Sequence, residues 1–150
     1  MKNIRLLILI GTLILSGLIF QSCNKENDLD LEIKSEQWNL ISINENDVLT
    51  VKEPKDYFRD NAFILIFETD STFSLNTGVN YAGGKYMISS LNEMTIFSYH
   101  EFTEVATTDK NEQELTDKLI QQLPKVTGYT IENDKLSLIT DDGNVLFKIK

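Results

Sequence analysis

Apolar residues are distributed along this chain in two different ways. Residues 6–20 form one near-continuous apolar run, broken only by Gly11, Thr12, Ser16 and Gly17, with Lys2 and Arg5 ahead of it. From residue 37 onward the apolar positions alternate in short segments bounded by Asn, Asp, Gly and Ser. Period-two segments of this kind predict strands that bury one face. They cover residues 38–43, 62–69, 72–77, 85–89, 93–100, 127–132, 135–140 and 145–149. Trp38 and Leu40 share a face of the first, and 62–69 is apolar on both faces, as a covered strand must be. Asp70-Ser71, Ser90-Leu91-Asn92, Asn133-Asp134 and Asp142-Gly143 supply the turns. Residues 44–61 are polar, contain Pro54 and read as a long connection, with Tyr57 and Phe58 folding back onto the core.

A helical period follows residue 108. Leu115, Leu119 and Leu123 recur every fourth position with Ile120 beside them, which predicts an amphipathic helix packed on the core. Asp109 is placed to cap it, Glu112 stands three residues on as in a capping box, and Pro124 ends it. Eight antiparallel strands and one helix predict a mainly β fold. Short connections favour a curved, barrel-like sheet with the helix plugging one opening.

The apolar run has the layout of a secretory signal. It is short for a membrane span, which needs about 17 to 25 residues. Its end, Ile19-Phe20-Gln21-Ser22-Cys23, resembles a bacterial lipoprotein box, with cleavage between Ser22 and Cys23 and lipid on Cys23. Ser before Cys is a variant common in Bacteroidota-like lipoproteins. The resemblance implies an outer-membrane lipoprotein of the cell envelope, held by an N-terminal lipid, with either the periplasmic or the surface face open. Three segments result: a signal peptide over 1–22, the lipidated cysteine with a flexible acidic tether over 23–36, and a β domain over 37–150. Lys25-Glu26-Asn27-Asp28 resembles acidic export tags that send such lipoproteins to the surface, or is a charged linker. Asp70-Ser71-Thr72 is a plain turn that also resembles a three-residue O-glycosylation signal.

Cleavage leaves 128 of the 150 residues, enough for one domain. It removes two basic and no acidic residues, taking the net charge from −9 to −11. Arg59 is then the sole arginine, and nucleic acid is excluded as a partner because a polyanion is repelled. Lipidation consumes the sole cysteine, so the fold must stand without a disulfide.

No catalytic constellation stands out, and no cofactor or metal is expected. Asp28, Asp30 and Glu32 lack the glycine turn of a calcium cage. The stretch 78–84 (GVNYAGG) nearly matches a phosphate-binding loop. It fails because an extra glycine precedes Lys85, Tyr86 replaces the hydroxyl residue, and a strand follows. Glycine there is expected to supply positive-φ turns and a bulge. His100 is the only histidine, too few for the usual zinc sites, and beside Glu101 it could act as a base. Glu68 with Asp70, or Asp141 with Asp142, could form a glycosidase pair, but acids are ordinary at strand ends and turns. No G-x-S-x-G elbow is present.

Taken in order, Trp38-x-Leu40, Phe67, Gly78-Val79-Asn80, Gly84-Lys85-Tyr86, Thr103-Glu104-Val105-Ala106-Thr107, Glu112 with Glu114, Leu119, Leu123, Tyr129, Leu136-x-Leu138 and Gly143-x-x-Leu146 resemble the META domain, a family of bacterial envelope lipoproteins and related proteins. The resemblance covers about 110 residues, with Gly78, Asn80, Gly84, Tyr86, Thr103 and Ala106 as motif positions. Val79 and Thr107 stand where the family often has cysteines and Glu104 where it has a basic residue, so no disulfide or redox role carries over. The family implies a small β-rich fold with one helix and, in some members, links to heat shock, antibiotic tolerance or virulence. It implies no reaction. A lipocalin-like lipoprotein domain is the alternative fold. The expected function is that of a non-enzymatic envelope lipoprotein acting in envelope maintenance or stress tolerance through protein contacts. The alternative is a small-ligand or glycan-binding barrel lined at its mouth by Tyr81, Tyr86, Phe97 and Tyr99.

Overall fold

The computed structural model describes residues 32–34, 36–45, 48–50, 61–90, 92–101 and 105–150. The signal segment with Ser22 and Cys23, the tether as far as residue 31, Tyr57, Phe58 and Thr103 lie outside the described residues.

The strands are β1 (Gln37–Asn44), β2 (Val48–Thr50), β3 (Ile64–Phe67), β4 (Thr72–Asn76), β5 (Tyr81–Ser90), β6 (Glu93–Glu101), β7 (Val126–Glu132), β8 (Lys135–Thr140) and β9 (Gly143–Ile149), with helix α1 (Lys110–Gln122) between β6 and β7. All pairings are antiparallel in the order β2-β1-β3-β4-β5-β6-β7-β8-β9, and β1 also pairs with β9. Eight strands thereby close into a barrel. Strand β2 is extra: it pairs with Ser42–Asn44 of β1, beyond the stretch that pairs with β3. It lies in the span read from sequence as connection only, because a strand of three residues leaves too little alternation to register.

Closure is uneven around the wall. Strands β1 and β9 pair from Trp38↔Ile149 to Asn44↔Asn144, with a bulge between Leu40 and Ser42. Strands β6 and β7 share one ladder pair, Glu93↔Gly128, and a bond from Tyr129 N to Asn92 O. A side chain at Gly128 would stand 2.7 Å from that same carbonyl oxygen. The strand predicted over 62–69 begins later, because Phe63 adopts φ 59 and its ring is buried in the core.

Alternation fills the interior. Trp38, Leu65, Leu75, Leu136, Leu138, Val145 and Phe147 are wholly buried in one continuous cluster. Burying each such side chain contributes about 1.5–3 kcal/mol.

Both ends of the barrel are covered. The first, where β1 and β8 end and β7 and β9 begin, lies under α1 and the 3-10 turn Leu123–Lys125 that continues it. Leu115, Leu119 and Leu123 face inward as predicted, and ion pairs tie Lys118 to Glu45 and Lys125 to Asp142. The other end is closed by the chain just ahead of β1. Residues 32–34 form a helical turn, Ile33 is fully buried in the core cluster, and Trp38 Nε1 donates to Ile33 O at 3.0 Å. Lys34 Nζ lies over the Tyr86 ring, 6.0 Å from its centroid. This corrects the boundary at residue 37: the folded unit includes part of the stretch read as tether. One apolar residue among acids carries too weak a period to reveal that it is buried.

Candidate functional site

The motif residues Gly78 and Asn80 lie in the turn at the helix-covered end, where Asn80 bonds Val105, the chain neighbour of exposed Ala106. The turn after β4 is held by Thr77, whose N–H and hydroxyl both donate to Asn80 O. The Asn80 side chain then clasps the segment ahead of α1: Val105 N donates to Oδ1 at 2.7 Å, and Nδ2 donates to Val105 O at 3.1 Å. Asp109 caps α1 as expected, its Oδ1 accepting from Asn111 N and Glu112 N. Glu112 departs from the capping-box expectation. It is buried, with 1% exposure, and accepts from the Thr107 hydroxyl, which itself accepts from Asp109 N. Thr107 thus takes the N–H that the box would have given to Glu112, and the carboxylate lies against Gly78. A side chain at Gly78 would stand 1.9 Å from Glu112 Oε1. Gly78→Ala is therefore expected to cost about 2 kcal/mol. In a double-mutant cycle with Glu112→Ala, read by urea unfolding, part of that loss should vanish, with a coupling of about 1 kcal/mol or more. Strict additivity would contradict the contact.

The stretch 78–84 is not one loop, since β5 begins at Tyr81 and pairs with β4 from Asn76↔Tyr81 to Thr72↔Lys85. None of its described glycines has positive φ, contrary to expectation; they provide space. The expected bulge is present, as a register shift against β6 between Gly83 and Lys85. At Gly84 a side chain would meet the Phe73 ring at 2.9 Å and Ser98 O at 3.0 Å.

The four aromatics expected at one mouth do not line one opening. Tyr86 is in the core, edge-on to Phe67 at 4.8 Å, with its hydroxyl donating to Glu68 O. Tyr99 stacks on Phe73 at 6.4 Å. Tyr81 and Phe97 are exposed on the outer wall, at 47% and 43%.

That wall carries a hollow of about 320 Å³ that sequence reasoning missed. Its floor is Phe73, Gly83 and Gly84, and its rim is Thr72, Lys85, Ser98 and His100. The Gly83-Gly84 doublet removes two side chains from β5, and Ser98 bulges with φ 53. The doublet and a bulge beside it were visible in the sequence; that Ser98 and Tyr99 on β6 form the bulge had no signal. Beside the hollow, Asp70 accepts from the Thr72 hydroxyl and N–H, which hold its carboxyl below the ordinary carboxylate range. Asp70 therefore stabilises the fold above the ordinary carboxylate pKa, and that contribution fades as pH falls through the depressed folded value.

The described residues weighed for catalysis, Glu68, Asp70, His100, Asp141 and Asp142, are all exposed. His100 is exposed on β6 opposite Gly83, Glu68 is exposed at the end of β3, and Asp142 pairs with Lys125. Among the described residues no cluster of three or more His, Cys, Asp or Glu could hold a metal.

The sequence profile of the META domain matches residues 31–150, and the chain belongs to that family. No curated protein matches it in sequence. In structure it is similar to a protein from Burkholderia xenovorans solved by NMR, at 16% identity and TM-score 0.64, over 82% of this chain and 87% of that one. A second NMR structure matches at 17% identity and TM-score 0.61, over 79% and 92% of the two chains. A crystal structure of a DUF4847 family protein from Bacteroides vulgatus matches at 12% identity and TM-score 0.52, over 80% and 96%. At these identities the likeness is one of fold. The profile begins just ahead of Ile33, in agreement with its burial.

Proposed function

We propose that this META domain protein is a non-enzymatic lipoprotein of the cell envelope, anchored in the outer membrane through lipid on Cys23. In this reading it acts in envelope maintenance or stress tolerance through contacts with other proteins. The observation that supports it is the filled barrel covered at both ends, which leaves the outer wall as the working surface. Of the five exposed large hydrophobics among the described residues, Tyr81, Met87 and Phe97 lie on the neighbouring strands β5 and β6, a concentration suited to a contact patch.

Two measurements test this. Cells fed an alkyne fatty acid should label the chain, and Cys23→Ala should lose both the label and membrane attachment; a variant that stays attached and labelled contradicts the anchor. A photo-cross-linking residue at Met87 in intact cells should capture a protein reproducibly, whereas one at exposed Ser74 should not. Equal capture, or none, contradicts the contact reading.

A further inference from the structure

The hollow over Gly83 and Gly84 has features that a contact patch does not need. Glycine inside a strand costs about 0.5–1 kcal/mol relative to Ala, and two stand side by side here. Gly84 has a packing reason, since the Phe73 ring and Ser98 O leave no room for a side chain. The result is an apolar floor in the barrel wall, open to solvent and ringed by polar groups of mixed character. The Thr72 hydroxyl gives its proton to Asp70 and so presents lone pairs outward. Ser98 and His100 can each donate and accept, and Lys85 donates. Phe97 lies across the β5–β6 ladder from Lys85, and Tyr81 two residues before Gly83, so exposed rings flank the hollow on two sides.

Size and charge narrow the ligand class. Ligand pockets run from about 300 to 1,000 Å³, and this open hollow of about 320 Å³ stands at the small end, with room to seat one sugar ring. The chain's net charge of −9 repels anions at long range, and Lys85 on the rim repels cations at short range. A neutral molecule with one apolar face and many hydroxyls matches floor, rim and flanking rings together. We propose that this hollow binds one ring of a neutral saccharide, with its C–H face toward Phe97 or Tyr81 and its hydroxyls toward Thr72, Lys85, Ser98 and His100. This site is on the outer wall, not at a barrel mouth, and does not rest on the protein-contact reading.

The chain from Asn24 onward carries every described core residue, since these lie between Ile33 and Ile149, and it serves for the test. Labelled with ¹⁵N, it is titrated to tens of millimolar with neutral oligosaccharides of glucose, galactose, mannose and N-acetylglucosamine. The expected result is a saturable shift of the Gly83, Gly84, Ser98 and His100 amides with at least one of them. Phe97→Ala and His100→Ala change exposed residues, so each should weaken that binding several-fold while leaving the melting temperature in place. Absence of a saturable shift at these amides with every sugar overturns the proposal, as does binding unchanged in both variants. N-acetylphenylalaninamide is the competing probe. If it moves the same amides at lower concentration than any sugar, the hollow is an anchor pocket for a partner's side chain and the saccharide assignment is wrong.

Discussion

Replacing Gly143 with Ala should remove a large share of the protein's stability, although it adds only one methyl group. A Cβ at this position would stand 1.8 Å from Asn44 O and 2.9 Å from the Asn44 carbonyl carbon. Both are backbone atoms, so no side-chain rotation relieves the clash. Both also belong to the seam that closes the barrel, where β9 begins against the end of β1 and Asn44 Nδ2 donates to Asn144 Oδ1 at 2.7 Å. Asn144 in turn donates to Ser137 Oγ on β8, so moving β9 aside disturbs three strands. Overpacking costs about 1–3 kcal/mol where neighbours can yield, and here they cannot. A loss of about 3 kcal/mol or more is expected in urea unfolding, against a total that is only about 5–15 kcal/mol for a typical domain. A loss below about 1 kcal/mol would mean that the β1–β9 approach is looser than described.

The second large effect falls on a residue that the sequence places in a tether. Ile33→Ala should cost about 2–5 kcal/mol, the range for truncating a buried Ile, and Ile33→Asp more, because an unpaired carboxylate would have to enter the core. Ile33→Val should cost only about 0.5–1.5 kcal/mol. That graded series separates packing from any general effect on residues 32–34. A chain starting at Gln37 should be less stable than one starting at Asn24 by at least as much as Ile33→Ala. If all three substitutions fall within about 0.5 kcal/mol of the parent, as changes at exposed sites do, then Ile33 is not a core residue and the domain begins at β1.

The legible parts of this fold were those whose physics is local. Alternating apolar positions mark seven of the barrel strands and the apolar run over 62–69 the eighth, and the Leu115-Leu119-Leu123 stripe with Asp109 and Pro124 marks the helix and both its ends. Asn92 and Asn133 sit at the expected turns with positive φ. What was hidden depends on contacts across the chain. Ile33 is buried in the core cluster and its carbonyl accepts from Trp38, relations that no window over an acidic segment reveals. Glycine usually suggests conformational freedom, yet Gly78 and Gly84 are needed for room, beneath Glu112 and Phe73. Glu112 read as a capping-box acid; instead it is buried and accepts from Thr107. The aromatic set misled because plain alternation already sends Tyr86 inward with Ala82 and Phe97 outward, while the bulge in which Ser98 and Tyr99 face Gly84 turns Tyr99 onto the core. The hollow between those strands lies at the same bulge.

A filled barrel covered at both ends leaves the outer wall as the surface on which the proposed function rests. The most direct test is thermal unfolding of the chain from Asn24 with fatty acids, isoprenoids and phospholipids, the ligands an open barrel of this kind would enclose. A ligand bound inside and present at 100 times its Kd adds about 2.7 kcal/mol, or roughly 3–6 °C for a domain of this size. The expected result is no shift with any of them. A reproducible rise of several degrees, abolished by enlarging an inward residue such as Leu138→Phe, would show an interior that opens and contradict the account.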